Sequence, residues 1–131
     1  MIEFRLTAGS GVARYVQLVQ QVRQALRLGV LRVGDQLPTV REVVASLAIN
    51  PNTVARAYRE LEAEGLVEGR QGQGTFVVST LAGSGLEAHA ALGRQLEAWM
   101  KAAVDAGLDQ ESMVALFDST LRGAARLEGA A

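Results

Sequence analysis

Asn50, Asn52, Thr53 and Arg56 stand close together in the chain, and Arg70, Gln71 and Gln73 follow in the run Gly69-Arg70-Gln71-Gly72-Gln73-Gly74. Their carboxamide, hydroxyl and guanidinium groups are suited to recognition by hydrogen bonds. An arginine can set two N–H groups against one guanine edge, worth about 1–3 kcal/mol of discrimination. Asn and Thr can reach base edges or phosphates. Bond-making chemistry has little to work with. The chain has no cysteine, which excludes disulfides and thiolate metal sites. His89 is the sole histidine, and no Ser/His/Asp arrangement or acid–base pair stands in a recognisable context. A metal at His89 would need companions such as Glu87, Asp105 or Asp109. The reading is no catalytic residue, no metal and no cofactor.

Helices must aim the recognition groups. Pro38 fixes the approach to one helix, and Thr39 with Glu42 has the T-x-x-E spacing of a capping box. Val40, Val43, Val44 and Leu47 then fall at i, i+3, i+4, i+7, a single buried face. Ala48 and Ile49 form a turn. Asn50 is a good N-cap, and Pro51 suits the first helical position, where its missing N–H costs nothing. Val54, Ala57, Tyr58 and Leu61 repeat the spacing, which leaves Asn52, Thr53, Arg56, Arg59 and Glu60 on the opposite face. Gly65 reads as the left-handed residue that ends this helix.

Segments 66–70 and 75–78 read as strands joined by Gln71-Gly72-Gln73-Gly74. A hairpin this small must pack on the helices. Helix, tight turn, helix and hairpin is the order that places one short helix in a DNA major groove and a β-wing beside it. Gly72 and Gly74 would let the wing backbone approach DNA, while Arg70, Gln71 and Gln73 reach sugar, phosphate or the minor groove. A nucleotide-phosphate loop is disfavoured, because no strand–G-x-x-x-x-G-K–helix context surrounds the glycines. An ordinary three-helix bundle with a solvated polar face shares the helical part of this pattern.

The flanks are read as support. Residues 1–10 look like a loosely held lead-in. From about Gly11 to Leu28, Tyr15, Leu18, Val19, Val22, Ala25 and Leu26 mark a helix with one buried face, and Gln17, Gln20, Gln21, Arg23, Gln24 and Arg27 fall on its exposed face. Gln36-Leu37 can make a short strand. Residues 79–85 form a small-residue hinge. Two more helices follow, about 86–106 and from Asp109, which caps the last one with Leu108 and Met113 in staple positions. Their stripes can be covered only by each other and a partner. Trp99 reads as an interface or core aromatic.

The 131 residues suit one small domain plus an appendage, and 49% hydrophobic content supports a packed core. Residues 1–80 carry nine Arg against seven acids, whereas 81–131 carry four bases against seven acids. A mildly basic front and an acidic back suit a nucleic-acid-reading domain joined to something that is not. No apolar run approaches the roughly 20 residues that span a bilayer, and no signal peptide is expected. A cytoplasmic protein with no membrane association is the simplest expectation.

The stretch from about Val12 to Thr80 resembles the winged helix-turn-helix domain of GntR-type bacterial transcription regulators. The resemblance is carried by L-P-T-V-R-E (37–42), N-P-N-T-V-A-R-A-Y-R-E-L-E-A-E-G-L-V (50–67) and R-Q-G-Q-G-T-F-V (70–77). The short tail is similar to the YtrA-like branch. The expected fold is mostly α with a small β-wing: a DNA-binding domain at 12–80 (helix-turn-helix about 40–59, wing about 66–78) and a helical dimerisation tail at 81–131. The resemblance implies DNA contacts from Arg41, from Asn50, Asn52 and Thr53 with Arg56 on the same face, and from Arg70, Gln71 and Gly72. Pro51 and Ala55 stand where better-known branches often place arginine, so the operators of those branches are not transferred. The resemblance further implies a cytoplasmic homodimer that represses its own operon, often one with a transporter. Dimer symmetry then predicts a near-palindromic double-stranded operator with half-sites about 10 bp apart or a multiple of that. Leu92, Leu96, Trp99, Phe117 and Leu121 are the candidate dimer contacts. The tail is too short for the large effector domains of other branches, which leaves a dimer-interface pocket as the place for a small-molecule effector. The rivals are a winged-helix module that meets a protein, and a repressor gated by a ligand or metal at the tail.

Overall fold

The computed structural model describes residues 2–83 and 86–130, with side chains placed at 2–83 and 88–124. Ser84 and Gly85 of the expected hinge, and the Glu87 side chain, lie outside the described residues. The chain divides into two compact units, Met1–Leu86 and Glu87–Ala131. The first contains α1 (Arg14–Arg27), α2 (Val40–Leu47), α3 (Pro51–Ala63), β1 (Val67–Arg70) and β2 (Gly74–Val77). The second is built from α4 (Leu86–Asp105) and α5 (Gln110–Ala130). This is the expected winged helix followed by two helices.

Local signals set the ends of the helices. At α2, the Thr39 side chain accepts from the Glu42 N–H and the Glu42 carboxylate accepts from the Thr39 N–H, the complete capping box. At α3, Asn50 Oδ1 accepts from the Asn52 N–H at 2.8 Å and Pro51 takes the first position. Gly65, at φ +78°, closes α3, and the Leu66 N–H reaches back to the Leu61 carbonyl at 3.1 Å. Asp109 Oδ1 accepts from the Ser112 N–H at 2.8 Å at the start of α5. Hydrogen bonding with the Ser112 side chain, then with its backbone N–H, holds the Asp109 carboxyl below the usual carboxylate range.

Packing centres on α3, which lies against α1, α2 and β1. Leu18, Leu26, Leu37, Leu61, Val22, Val54, Val67 and Val77 are fully buried. Each such aliphatic side chain contributes roughly 1.5–3 kcal/mol relative to exposure. The wing is an antiparallel pair in register from Val67↔Val77 to Arg70↔Gly74. The expected strand at Gln36-Leu37 contracts to a single bridge, Gln36↔Phe76. It still does a strand's work, because the Leu37 N–H donates to the Thr75 carbonyl at 2.9 Å and the Val77 N–H to the Asp35 carbonyl at 2.8 Å.

Three expectations need correction. The lead-in is held: Phe4 is buried in the core and Ile2 and Leu6 pack against it. The Arg5 N–H donates to Gln21 Oε1, and the Thr7 N–H to Gln17 Oε1 at 2.8 Å. Gln17 consequently lies inside rather than on the exposed face of α1, and its Nε2 also donates to the Val12 carbonyl at 3.0 Å. Periodicity assigned Gln17 outward, and the returning N-terminal segment covers it. Tyr15, expected in the buried stripe, is half-buried.

Tyr58 does more than fill space. It is buried, and its hydroxyl donates to the Pro38 carbonyl, so α3 is tied to the entry of α2. Burial, then the charge of Glu42, pushes the phenol above its ordinary value. With the folded value raised, the stabilisation is complete below the unfolded value of about 10 and is lost as pH climbs through the folded value. Tyr58→Phe should cost about 1–3 kcal/mol at pH 7, because the Pro38 carbonyl loses its partner. The variant should also lack the alkaline loss that the parent shows above about pH 10. Urea unfolding at neutral and alkaline pH checks both.

Ala48 ends α2 at φ +53°, a left-handed conformation that costs a residue with Cβ about 1–2 kcal/mol. Glycine there gives back part of this through its freer unfolded state. Ala48→Gly should therefore raise stability by roughly 0.5–1 kcal/mol, read as a higher urea midpoint with an unchanged slope.

Candidate nucleic-acid interface

Burial of Val54, Ala57, Tyr58 and Leu61 turns the other side of α3 to solvent. Asn52, Arg56 and Arg59 are exposed, and Thr53 and Glu60 are half-buried. Asn50 is exposed as well, but its carboxamide oxygen belongs to the helix cap, which leaves the amide NH2 to donate elsewhere. At the start of α3 Pro51 has no N–H, the Asn52 N–H is taken by Asn50 Oδ1 and the Thr53 N–H by the Asn50 carbonyl at 3.0 Å, so the groups offered outward there are the Asn and Thr side chains, which suit phosphate and base-edge partners. Arg41 is the second residue of α2 and is exposed.

Arg56 is not a free-swinging chain. Its guanidinium lies over the Tyr15 ring, 3.8 Å from the centroid, and Nη2 donates to the Tyr15 hydroxyl at 3.1 Å. The Tyr15 partner comes from α1, far away in sequence, and the apolar stripe that contains Tyr15 gave no hint of it.

The wing tip is shaped by two glycines. The Gln73 N–H donates to the Arg70 carbonyl at 3.0 Å, and Gly72 turns the chain at φ +74°. Gly74 has φ +122°, and a Cβ there would stand 2.5 Å from Gln36 Nε2. That Gln36 amide donates to the Gln73 carbonyl at 3.1 Å and so clasps the tip to the first strand-like segment. Arg70 is exposed, with its guanidinium 4.5 Å from the Phe76 ring centroid and Nη2 3.8 Å from Glu68 Oε2. Gln71 and Gly72 are fully on the surface. Thr39 and residues 69–75 line one open cleft of about 500 Å³, so the cap of α2 and the wing tip face a shared space. Of these parts, the Gln36 clasp and the Tyr15 platform were not legible in the sequence, because each is a contact between distant segments.

The second unit is described by itself. Ala103 is its one buried hydrophobic residue among the described residues. Leu92 is 58% exposed and Leu121 56%, with Leu96 and Phe117 also exposed and Trp99 half-buried. Leu96, Trp99 and Phe117 line an apolar groove of about 470 Å³ together with Met100, Met113 and Val114. Leu92 and Leu121 lie outside its lining. His89 is exposed, and among the described residues no cluster of three His, Cys, Asp or Glu could hold a metal. Among the described residues, no helix is long and apolar enough to cross a membrane.

Comparison with known proteins places this geometry. Residues 14–77 match the family described as bacterial regulatory proteins, gntR family. The HTH-type transcriptional repressor YtrA of Bacillus subtilis is 44% identical over 63 residues, 48% of this chain and 48% of that protein. The HTH-type transcriptional regulator Rv1152 of Mycobacterium tuberculosis is 45% identical over 73 residues, 56% of this chain and 60% of that protein. The chain spans about half the length of the curated relatives it matches. A crystal structure of a transcriptional antiterminator from Listeria monocytogenes superposes with a TM-score of 0.58 at 29% identity, covering 91% of this chain and 90% of that one. The winged helix-turn-helix at residues 14–77 is a domain of the GntR family of bacterial regulatory proteins, with YtrA among its relatives.

Proposed function

We propose that the protein is a sequence-specific double-stranded DNA-binding transcription regulator that works as a homodimer. The observation that carries the reading is the outward face at the capped start of α3, where the side chains of Asn52, Thr53 and Arg56 reach the surface together. Arg56 reads a base edge in the major groove. Thr53 and Asn52 contact a base edge or phosphate, and the Asn50 amide and Arg41 contact the backbone. The wing, with Arg70, Gln71 and Gly72, lies in the adjoining minor groove. The name of YtrA, a transcriptional repressor, supports reading this chain as a repressor, and the resemblance to the YtrA-like branch suggests that it acts on its own operon, of transporter type. Such a protein acts in the cytoplasm and does no covalent chemistry.

Dimerisation is assigned to the tail. Among the described residues α4 and α5 bury only Ala103 and leave Leu92, Leu96, Phe117 and Leu121 exposed, more apolar surface than a two-helix unit keeps in water without a partner. A second copy covers these residues and Trp99, and the symmetry of the pair sets the symmetry of the operator. A protein-binding winged helix would present an acidic or apolar third-helix face, and Arg56 and Arg59 beside Asn52 and Thr53 disfavour that.

Arg56→Ala should lower the ratio of operator to random-duplex affinity by about 5- to 150-fold. Arg41→Ala should weaken both duplexes alike and reduce the salt slope by about one. Anisotropy titrations against the DNA upstream of the protein's own gene, at two salt concentrations, measure this. Equal loss on both duplexes for Arg56→Ala would refute base reading, and a flat salt response would refute DNA binding. Leu96→Glu with Phe117→Glu should give a monomer by light scattering and weaken operator binding. A parent protein that is monomeric at micromolar concentration would sink the dimer.

A further inference from the structure

Arg56 is the side chain on which base reading rests, and the way it is held carries a consequence for α1. Arg56 could have been tied to an acid, because Glu60 stands one turn further along α3 on the same face. Among the described residues the ion pairs are instead Arg23 with Glu64 and Arg70 with Glu68. Arg23 shows the other outcome: its guanidinium donates through Nε and Nη2 to the Glu64 carboxylate, and its charge is answered within the fold. Arg56 is held by a neutral ring and a neutral hydroxyl. Its charge stays available to an anionic partner while its position is restricted.

The geometry suits presentation. The Tyr15 ring attracts the guanidinium charge from 3.8 Å and occupies none of its N–H donors. Tyr15 takes one Nη2 hydrogen bond, and further in-plane donors remain for the two acceptors of a guanine edge. A free arginine loses about 2 kcal/mol of rotamer freedom when it is immobilised, and a prearranged one has lost part of that before DNA arrives. Tyr15 itself fits the role. Leu18, Val19 and Val22 of its stripe are buried, whereas Tyr15 is half-open with its hydroxyl committed to Arg56. Arg70, another arginine expected at DNA, also lies over a ring, that of Phe76, but shares its charge with Glu68.

We propose that Tyr15, on the first helix and outside the helix-turn-helix, is a positioning residue for base reading by Arg56. This rests on the DNA-reading function proposed above. Tyr15→Phe keeps the ring and removes the hydroxyl bond, and Tyr15→Leu removes both.

The test is selection from a pool of randomised duplexes with the full chain, Tyr15→Phe, Tyr15→Leu, Arg56→Ala and the double variant Tyr15→Leu/Arg56→Ala. Circular dichroism melting of each variant confirms that it folds. Tyr15→Leu should flatten the base preference at the same positions as Arg56→Ala and lower the selected-to-random ratio by about 3- to 10-fold. Tyr15→Phe should keep most of the preference. The double variant should bind no worse than Arg56→Ala alone, the signature of two side chains acting as one unit. A folded Tyr15→Leu that keeps the full preference while Arg56→Ala loses it overturns the positioning role and leaves DNA reading intact. Additive losses in the double variant do the same. No enrichment by the parent protein, or a preference unchanged in Arg56→Ala, overturns both.

Discussion

Burial of one stripe of α3 is the constraint on which the rest depends. Val54, Ala57, Tyr58 and Leu61 lie on one side of a helix of 13 residues, against α1, α2 and β1. A helix that buries one side must show the other. The outward set of Asn52, Arg56 and Arg59 is therefore a by-product of packing, and its rotation about the helix axis is as firm as the core. Tyr58 strengthens the link, because its hydroxyl holds the Pro38 carbonyl at the entry to α2. The spacing between the two helices of the motif is thus held by a polar bond as well as by apolar contact.

The wing depends on the same core by a different route. Two strands of four residues cannot stand alone. Val67 and Val77 pin their inner ends in the core, and the segment around Gln36 adds backbone bonds along β2. The Gln36 amide then reaches the tip and occupies the space that a side chain at Gly74 would need. A mobile-looking glycine loop is in this way given a defined shape, with Arg70 seated on Phe76. Recognition groups gain from such restraint because less freedom is lost on binding.

The tail follows an opposite logic. α5 is capped by Asp109, yet the apolar residues of α4 and α5 exceed what two helices can hide, and Ala103 is the one hydrophobic residue buried there among the described residues. A unit with so little core of its own gains most from a partner. The winged helix has a core of its own and a polar outward face on α3, whereas the described residues of the tail bury only Ala103, so the two units are suited to different tasks.

The elements themselves were legible because they are local. The T-x-x-E box, Asn50-Pro51, Gly65 and the i, i+3, i+4, i+7 stripes each act within one turn or two, so residue order alone specifies helix ends and buried faces. The outward placement of Asn52, Thr53 and Arg56 followed from the same periodicity. Other features needed the folded chain. Gln17 has an outward phase on α1 and is buried only because residues 4–12 return across it. The Gln36 clasp and the Tyr15 seat of Arg56 join segments separated by 37 and 41 positions. Helical and strand periodicity describe which side of an element is apolar, and they carry no record of which distant polar group will meet it. Sequence determined the elements and their faces, and tertiary packing alone decided how the recognition side chains are held.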